Sequence, residues 1–172
     1  MGEKVPKRGK AEMIMRKTLA GISVGAIMGL SLAPALAQEM IDGSDVDAIK
    51  SVIEGFGSAS VETDGEGDPK IVARMSGTRY SVYFYGCNDQ HEKCDSLLFT
   101  TAWAEPGITL EQINAWNADM RFGRAYLDEE GDPVVEMGVN LEYGVTKRNF
   151  DDTVDYWSSV LKRFKEEVLK SG

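Results

Sequence analysis

The sequence predicts an α+β domain in which three helices pack on an antiparallel sheet of about six strands. Three segments repeat apolar residues with the helical period, and the segments between them alternate with the period of a strand. Short turns link most of these strand segments, which favours antiparallel pairing. The expected order of elements is α-β-β-β-β-α-β-β-α, within a single domain at residues 44–169.

Each predicted helix begins at a recognisable capping residue. Ser44, with Asp47 three positions later, is expected to cap the first helix. Thr109 and Gln112 form a capping box for the second, and either Asn149 or Asp152 can cap the third. The third helix has the longest apolar stripe, which consists of Phe150, Val154, Trp157, Leu161, Phe164 and Val168.

The strand segments are rich in β-branched and aromatic residues and are bounded by turn residues. The segment 96–103 places alternate apolar residues on one face, and the acidic turn at 129–132 predicts a hairpin. The six predicted strands are 58–62, 70–75, 79–85, 96–103, 122–128 and 133–141.

Residues 1–37 have the three parts of a secretory signal peptide. A basic stretch precedes a short apolar run from Leu19 to Leu32, and Ala35-Leu36-Ala37 fits the small-x-small cleavage pattern. We expect cleavage after Ala37 and export to the periplasm, with residues 38–43 as a short leader to the domain. The alternatives are a retained N-terminal anchor, and a start at Met13 or Met15 instead of Met1.

Removal of the signal peptide makes the chain strongly acidic. The whole chain has 19 Lys+Arg and 28 Asp+Glu, and residues 1–37 contain six and two of these. The remaining 135 residues therefore have 13 basic and 26 acidic side chains, a formal net charge of −13. Such a charge disfavours nucleic acids and anionic membrane surfaces as partners. No stable membrane insertion is expected after cleavage.

Cys87 and Cys94 bracket a polar loop between two predicted strands. Pairing of those strands would bring both residues to the base of the loop, where an exported protein forms a disulfide. The alternatives are a metal site that adds His91 to the two thiols, and a redox-active pair. The disulfide is favoured, because a fourth strong ligand and the Cys-x-x-Cys spacing are both missing.

No catalytic set stands out in the sequence. His91 is the only histidine, and its polar loop is a poor place to orient a general base. Carboxylates cluster at 128–132 and 151–155, where they suit a hairpin turn and a helix N-terminus better than a catalytic pair or a calcium site. We therefore expect no enzyme activity, no cofactor and no metal.

A polar and aromatic cluster is the best candidate binding site. It is expected at the junction of the second helix with the following strand, where amides can bond to backbone. One interpretation is a structural lock with an arginine paired to a carboxylate, and the other is a groove for a peptide or an acidic ligand. The cluster consists of Asn114, Trp116, Asn117, Arg121, Arg124 and Tyr126.

Several ordered motifs resemble the YbjN-like family of bacterial proteins labelled sensory transduction regulators. The resemblance covers about residues 44–169, and its most specific part runs from Ile113 to Pro133. The exported form with two cysteines is similar to one subgroup of that family. The motifs are Tyr83-Phe84-Tyr85-Gly86-Cys87, Ser96-Leu97-Leu98-Phe99 after Cys94, Ile113-Asn114-Ala115-Trp116-Asn117, Arg121–Asp128 and Gly131-Asp132-Pro133.

The resemblance implies a fold like that of type III secretion chaperones, which often dimerise, and it implies no enzyme activity or catalytic residue. The leading hypothesis is a periplasmic binding protein with a protein or peptide partner, and a homodimer is also expected. The alternatives are an envelope enzyme that uses paired carboxylates, and a small-anion sensor that uses Arg121 or Arg124.

Overall fold

The computed structural model describes residues 38–171, so the predicted signal peptide and its cleavage site lie outside the described residues. The helices are α1 (Val46–Glu54), α2 (Leu110–Asp119) and α3 (Lys147–Glu167), and a 3₁₀ turn (Leu169–Ser171) follows α3. The strands are β1 (Met40–Ile41), β2 (Ser58–Thr63), β3 (Pro69–Met75), β4 (Thr78–Tyr85), β5 (Ser96–Ala102), β6 (Arg124–Leu127), β7 (Pro133–Asn140) and β8 (Val145–Thr146). The predicted α+β class and the order of its main elements are confirmed.

Six strands form one antiparallel sheet in the order β2-β3-β4-β5-β7-β6. A separate pair, β1 with β8, aligns Met40 with Thr146 and Ile41 with Val145. Two-residue strands are too short to show an alternating pattern, which is why the sequence did not predict them. Ile41 is 1% exposed, so part of the expected leader is packed into the domain.

The core lies between one face of the sheet and the helices. Trp157 of α3 is fully buried against Tyr80 of β4 and Phe99 of β5, with ring centroids 5.8 and 5.7 Å away. Phe164 of α3 packs edge-on against Trp116 of α2. Aromatic pairs at these separations add to the stabilisation from apolar burial. The long apolar stripe of α3 therefore packs on the sheet along the length of the helix.

Two of the predicted helix caps are wrong. Asp45, not Ser44, accepts the amide N–H of Ala48 at 2.9 Å, because Ser44 donates to Asp42 in the preceding turn. Helix α3 begins at Lys147, where Thr146 and not Asn149 or Asp152 is the cap. Pairing of β8 with β1 holds Thr146 in the extended backbone that an N-cap needs.

The capping box predicted for α2 is confirmed. The amide of Gln112 donates to the Thr109 hydroxyl, and the amide of Thr109 donates to the Gln112 side chain at 2.8 Å.

Across residues 38–171, no helix combines the length and the apolar character needed to span a membrane.

Candidate functional site

The sheet face that points away from the helices has no covering element within residues 38–171. Alternation along each strand sends one set of side chains into the core and the other set to this face. We call this second set the uncovered face. Its members on strands β3, β4, β5, β7 and β6 are Lys70, Val72, Arg74, Arg79, Ser81, Tyr83, Tyr85, Ser96, Leu98, Thr100, Ala102, Arg124, Tyr126, Val134, Glu136, Gly138 and Asn140.

Tyrosine, arginine and aliphatic residues dominate the uncovered face. Tyr85 and Tyr126 are 48% and 39% exposed, and the Lys70 ammonium lies 5.4 Å from the ring centre of Tyr83. Tyrosine and arginine are enriched in the residues that contribute most to protein–protein binding. Nothing lies within 4 Å of a Cβ placed on Gly138, so the face has open space there. The face therefore gathers residue types that are common in protein–protein interfaces.

Glu136 of β7 organises one end of the uncovered face. Its carboxylate accepts Nη2 and Nε of Arg124 at 2.7 and 3.1 Å, and the Tyr126 hydroxyl donates to it at 3.1 Å. The Arg124 guanidinium also lies 5.9 Å from the ring centre of Tyr126. Glu136 is 8% exposed, so a buried carboxylate is satisfied by two neighbours on the adjacent edge strand.

Asn117 joins helix α2 to the edge strand β6. Its side-chain amide donates to the carbonyl of Ala125 at 2.9 Å, and its side-chain carbonyl accepts the Ala125 N–H at 2.8 Å. These bonds reproduce the pairing of a neighbouring strand, so they satisfy an otherwise free sheet edge. Asn117 and Arg124 thus match the structural interpretation of the predicted cluster, in which an amide bonds to backbone and an arginine pairs with a carboxylate.

The structure does not bring all six members of the predicted cluster together. Trp116 is buried on the helix side, 4% exposed, and its indole Nε1 has no acceptor within residues 38–171. Asn114 is exposed on α2, and Arg121 is exposed in the turn before β6. Only Arg124 and Tyr126 lie on the uncovered face. The binding role of the six residues therefore stays a prediction.

Sequence reasoning missed Glu136, Tyr83 and Tyr85 as members of this surface. The signal for Glu136 is its position as the only charged residue among the apolar residues of β7. A lone acid in such a strand usually has a basic partner on the neighbouring strand. The two tyrosines alternate with the core residue Phe84, and their period of two places them on the opposite face.

Burial raises the pKa of Tyr126, and its hydrogen bond to the Glu136 carboxylate adds to the rise. Burial also raises the pKa of Tyr85, with smaller contributions from Tyr83 and nearby acids. Both phenols stay protonated at neutral pH; the Tyr126 hydroxyl donates to Glu136, and the Tyr85 hydroxyl can donate to a partner.

The predicted disulfide between Cys87 and Cys94 is present, and the chain has no free cysteine within residues 38–171. His91, in the loop between them, lies 2.7 Å from a carboxylate oxygen of Asp68 in the β2–β3 turn. The imidazole therefore links two loops. The described residues include no group of three or more metal-binding side chains.

The first acidic segment occupies the hairpin turn expected from the sequence, whereas the second does not lie at the N-terminus of its helix. Asp128 accepts the amides of Glu130 and Asp132 at 3.1 and 2.8 Å and so closes the β6–β7 hairpin. Because α3 begins at Lys147, Asp151, Asp152 and Asp155 lie beyond its first turn, at a shallow cavity of about 650 Å³ that they share with Arg148. The two acidic segments belong to separate elements.

Comparison with known proteins places the domain in one family. No curated protein matches the chain. The model of the YbjN family, described as "Putative bacterial sensory transduction regulator", matches residues 45–170. That match spans most of the chain, including every element from α1 to α3, and the chain therefore belongs to the YbjN family.

Proposed function

We propose that this chain is an exported, non-catalytic binding protein whose uncovered face holds a protein partner in the periplasm. The observation that carries the proposal is an open sheet face that combines three tyrosines, three arginines and aliphatic residues. Sheet faces that meet only water are usually polar along their whole length. An aromatic and apolar face on a small acidic protein is better explained by a partner.

Charge favours an acidic partner surface. The uncovered face has four basic residues, Lys70, Arg74, Arg79 and Arg124, although the exported chain would have a net charge of −13. Arg74 and Arg79 are register partners on adjacent strands, and neither has a carboxylate partner within residues 38–171. Two neighbouring arginines without acids can bind carboxylates on a partner, and complementary charge accelerates its association.

Export rests on two independent features. Residues 1–37 have the basic, apolar and cleavable parts of a signal peptide. The Cys87–Cys94 disulfide is the form expected in an oxidising compartment. We expect osmotic shock to release the protein with a mature N-terminus at Gln38. An intact mass that retains residues 1–37 would contradict cleavage.

Site-specific photocrosslinking tests the uncovered face directly. A photoreactive phenylalanine analogue replaces Tyr85 or Tyr126 in the cell, and Tyr143 is the control because it is 87% exposed in another part of the chain. We expect one dominant protein to be captured from positions 85 and 126 and not from position 143. Equal capture from all three positions, or none from 85 and 126, would refute the proposal.

A captured protein must also bind in purified form. Alanine substitution of a tyrosine that contributes strongly to binding costs about 2 kcal/mol, so Tyr85→Ala is expected to weaken the affinity about thirtyfold. Tyr143→Ala is the matched control and should leave affinity unchanged. Capture of the chain by itself, with the same loss in Tyr85→Ala, would identify the partner as a second copy and the face as a homodimer interface.

A further inference from the structure

A second, smaller site lies on the helix side of the sheet, away from the uncovered face. A cavity of about 220 Å³ opens between the β3–β4 turn and the C-terminal half of α3. Three lysines line it: Lys162, Lys165 and Lys170. These are three of the 13 basic residues outside residues 1–37, and all three line one cavity of an acidic chain.

The three lysines have no ion-pair partner within residues 38–171. Lys165 Nζ has only the backbone carbonyl of Ser76, at 3.4 Å. Glu166 is the single acid of the lining, so the formal charge of the cavity wall is +2. The ammonium groups outnumber the single carboxylate, and a bound anion would offset this excess of positive charge.

The remaining walls divide into polar and apolar parts. Thr78 is 6% exposed, and neither its hydroxyl nor that of Ser158 has a hydrogen-bond partner within the described chain. Met75 and Leu161, each 3% exposed, form the apolar part. Lysines bind an anionic head as point charges, hydroxyls donate to its oxygens, and the apolar wall accommodates a hydrocarbon stem.

We propose that this cavity binds a small organic anion with a phosphate or carboxylate head and a short apolar stem. Its volume equals the space of about seven waters, which limits the ligand to a small molecule. The three lysines take the place of Arg121 and Arg124, which the sequence suggested for anion recognition. The Arg124 guanidinium is already bound to Glu136, whereas the three lysines are not bound to any carboxylate of the described chain.

Hexyl phosphate and hexanoate are suitable probes because both combine an anionic head with a six-carbon stem. Inorganic phosphate tests the head alone, and hexanol tests the stem alone. Binding is followed by NMR shifts of the Thr78 and Ser158 amides and by thermal unfolding of the purified protein. We expect saturable shifts at millimolar probe and a rise in Tm of about 5 °C or more near saturation.

The variant K162Q/K165Q/K170Q removes the three ammonium groups, and K50Q/K93Q/K147Q makes the same change in net charge elsewhere. We expect the first to lose at least tenfold in affinity for hexyl phosphate and the second to stay within twofold of the parent. Tm values without ligand show whether both variants fold.

Three outcomes would overturn the proposal. The first is the absence of saturable binding of either probe. The second is an equal loss in both triple variants, or equal binding of inorganic phosphate, which would indicate non-specific charge effects. The third is binding to vesicles that contain phosphatidylglycerol without any response to soluble probes, which would assign the lysines to a membrane surface. None of these outcomes affects the uncovered face, which uses different residues.

Discussion

Replacement of Asn117 by alanine tests how helix α2 is fixed to the edge of the sheet. The substitution removes two hydrogen bonds and leaves the N–H and carbonyl of Ala125 without partners. Ala125 is 5% exposed, so water cannot fully replace the lost bonds. At about 1 kcal/mol for each bond, plus part of the penalty for unpaired buried groups, the free energy of unfolding should fall by about 2–3 kcal/mol.

Asn114→Ala is the matched control for this substitution. Asn114 lies one turn earlier on the same helix and is exposed, and its side chain makes no hydrogen bond within residues 38–171. Both substitutions gain the same helix propensity from alanine, so the difference between them isolates the two bonds to Ala125.

Urea unfolding followed by circular dichroism measures both variants, and thermal unfolding should show Asn117→Ala lower by about 6–12 °C. A difference between the two variants below about 0.5 kcal/mol would refute the reasoning, because it would show that these bonds are replaced by water at no cost.

Three further predictions concern the disulfide, the core and the uncovered face. Reduction of the Cys87–Cys94 disulfide should lower the free energy of unfolding by about 2–3 kcal/mol, measured by thermal unfolding with and without reductant; an unchanged Tm would contradict a stabilising role. Burial raises the pKa of Tyr80, so the folded state holds that proton to higher pH than the unfolded state. The free energy of unfolding should therefore fall by about 1.4 kcal/mol per pH unit as pH rises above about 10. In Tyr80→Phe, the slope of this free energy against pH, measured by urea unfolding, should be shallower by that amount. Glu136→Ala should cost about 1–3 kcal/mol, since it removes the acceptor of three hydrogen bonds, whereas Glu136→Gln keeps one acceptor oxygen and should cost less; equal losses would show that hydrogen bonding there contributes little.

The sheet and helices were predictable because their patterns are repeated over many residues. Helix α3 buries an apolar residue at nearly every turn, and β5 alternates without interruption. The cap of α3 was not predictable, because Thr146 is held by pairing with Met40, more than a hundred residues earlier in the chain. Long-range pairing of this kind leaves no local signal.

The candidate site was predicted only in part for a similar reason. The sequence grouped Arg124 and Tyr126 in one cluster, but their acceptor Glu136 lies on the neighbouring strand. Trp116 was grouped with them because it is close in sequence, yet the helical period turns its side chain into the core. Residues that are close along the chain need not lie on the same surface. The register of β6 with β7 is what shows which residues share the uncovered face.

The β3–β4 turn lies between the two proposed sites and contacts one residue of each, which makes the sites testable as a pair. Arg74 of the uncovered face donates to the carbonyl of Gly77 at 3.2 Å, and Lys165 of the cavity donates to the carbonyl of Ser76 at 3.4 Å. Ser76 has a φ of +48°, a backbone conformation that non-glycine residues adopt only when their surroundings hold it. An anion that draws Lys165 away from Ser76 would remove one of the two side-chain contacts to this turn, in addition to which Met75 and Thr78 are paired at its base. We therefore expect saturating hexyl phosphate to change the affinity of the uncovered face for its partner, and the partner to change the affinity for hexyl phosphate by the same factor. Equal partner affinities with and without the anion would show that the turn is held by its own backbone and that the two sites act independently.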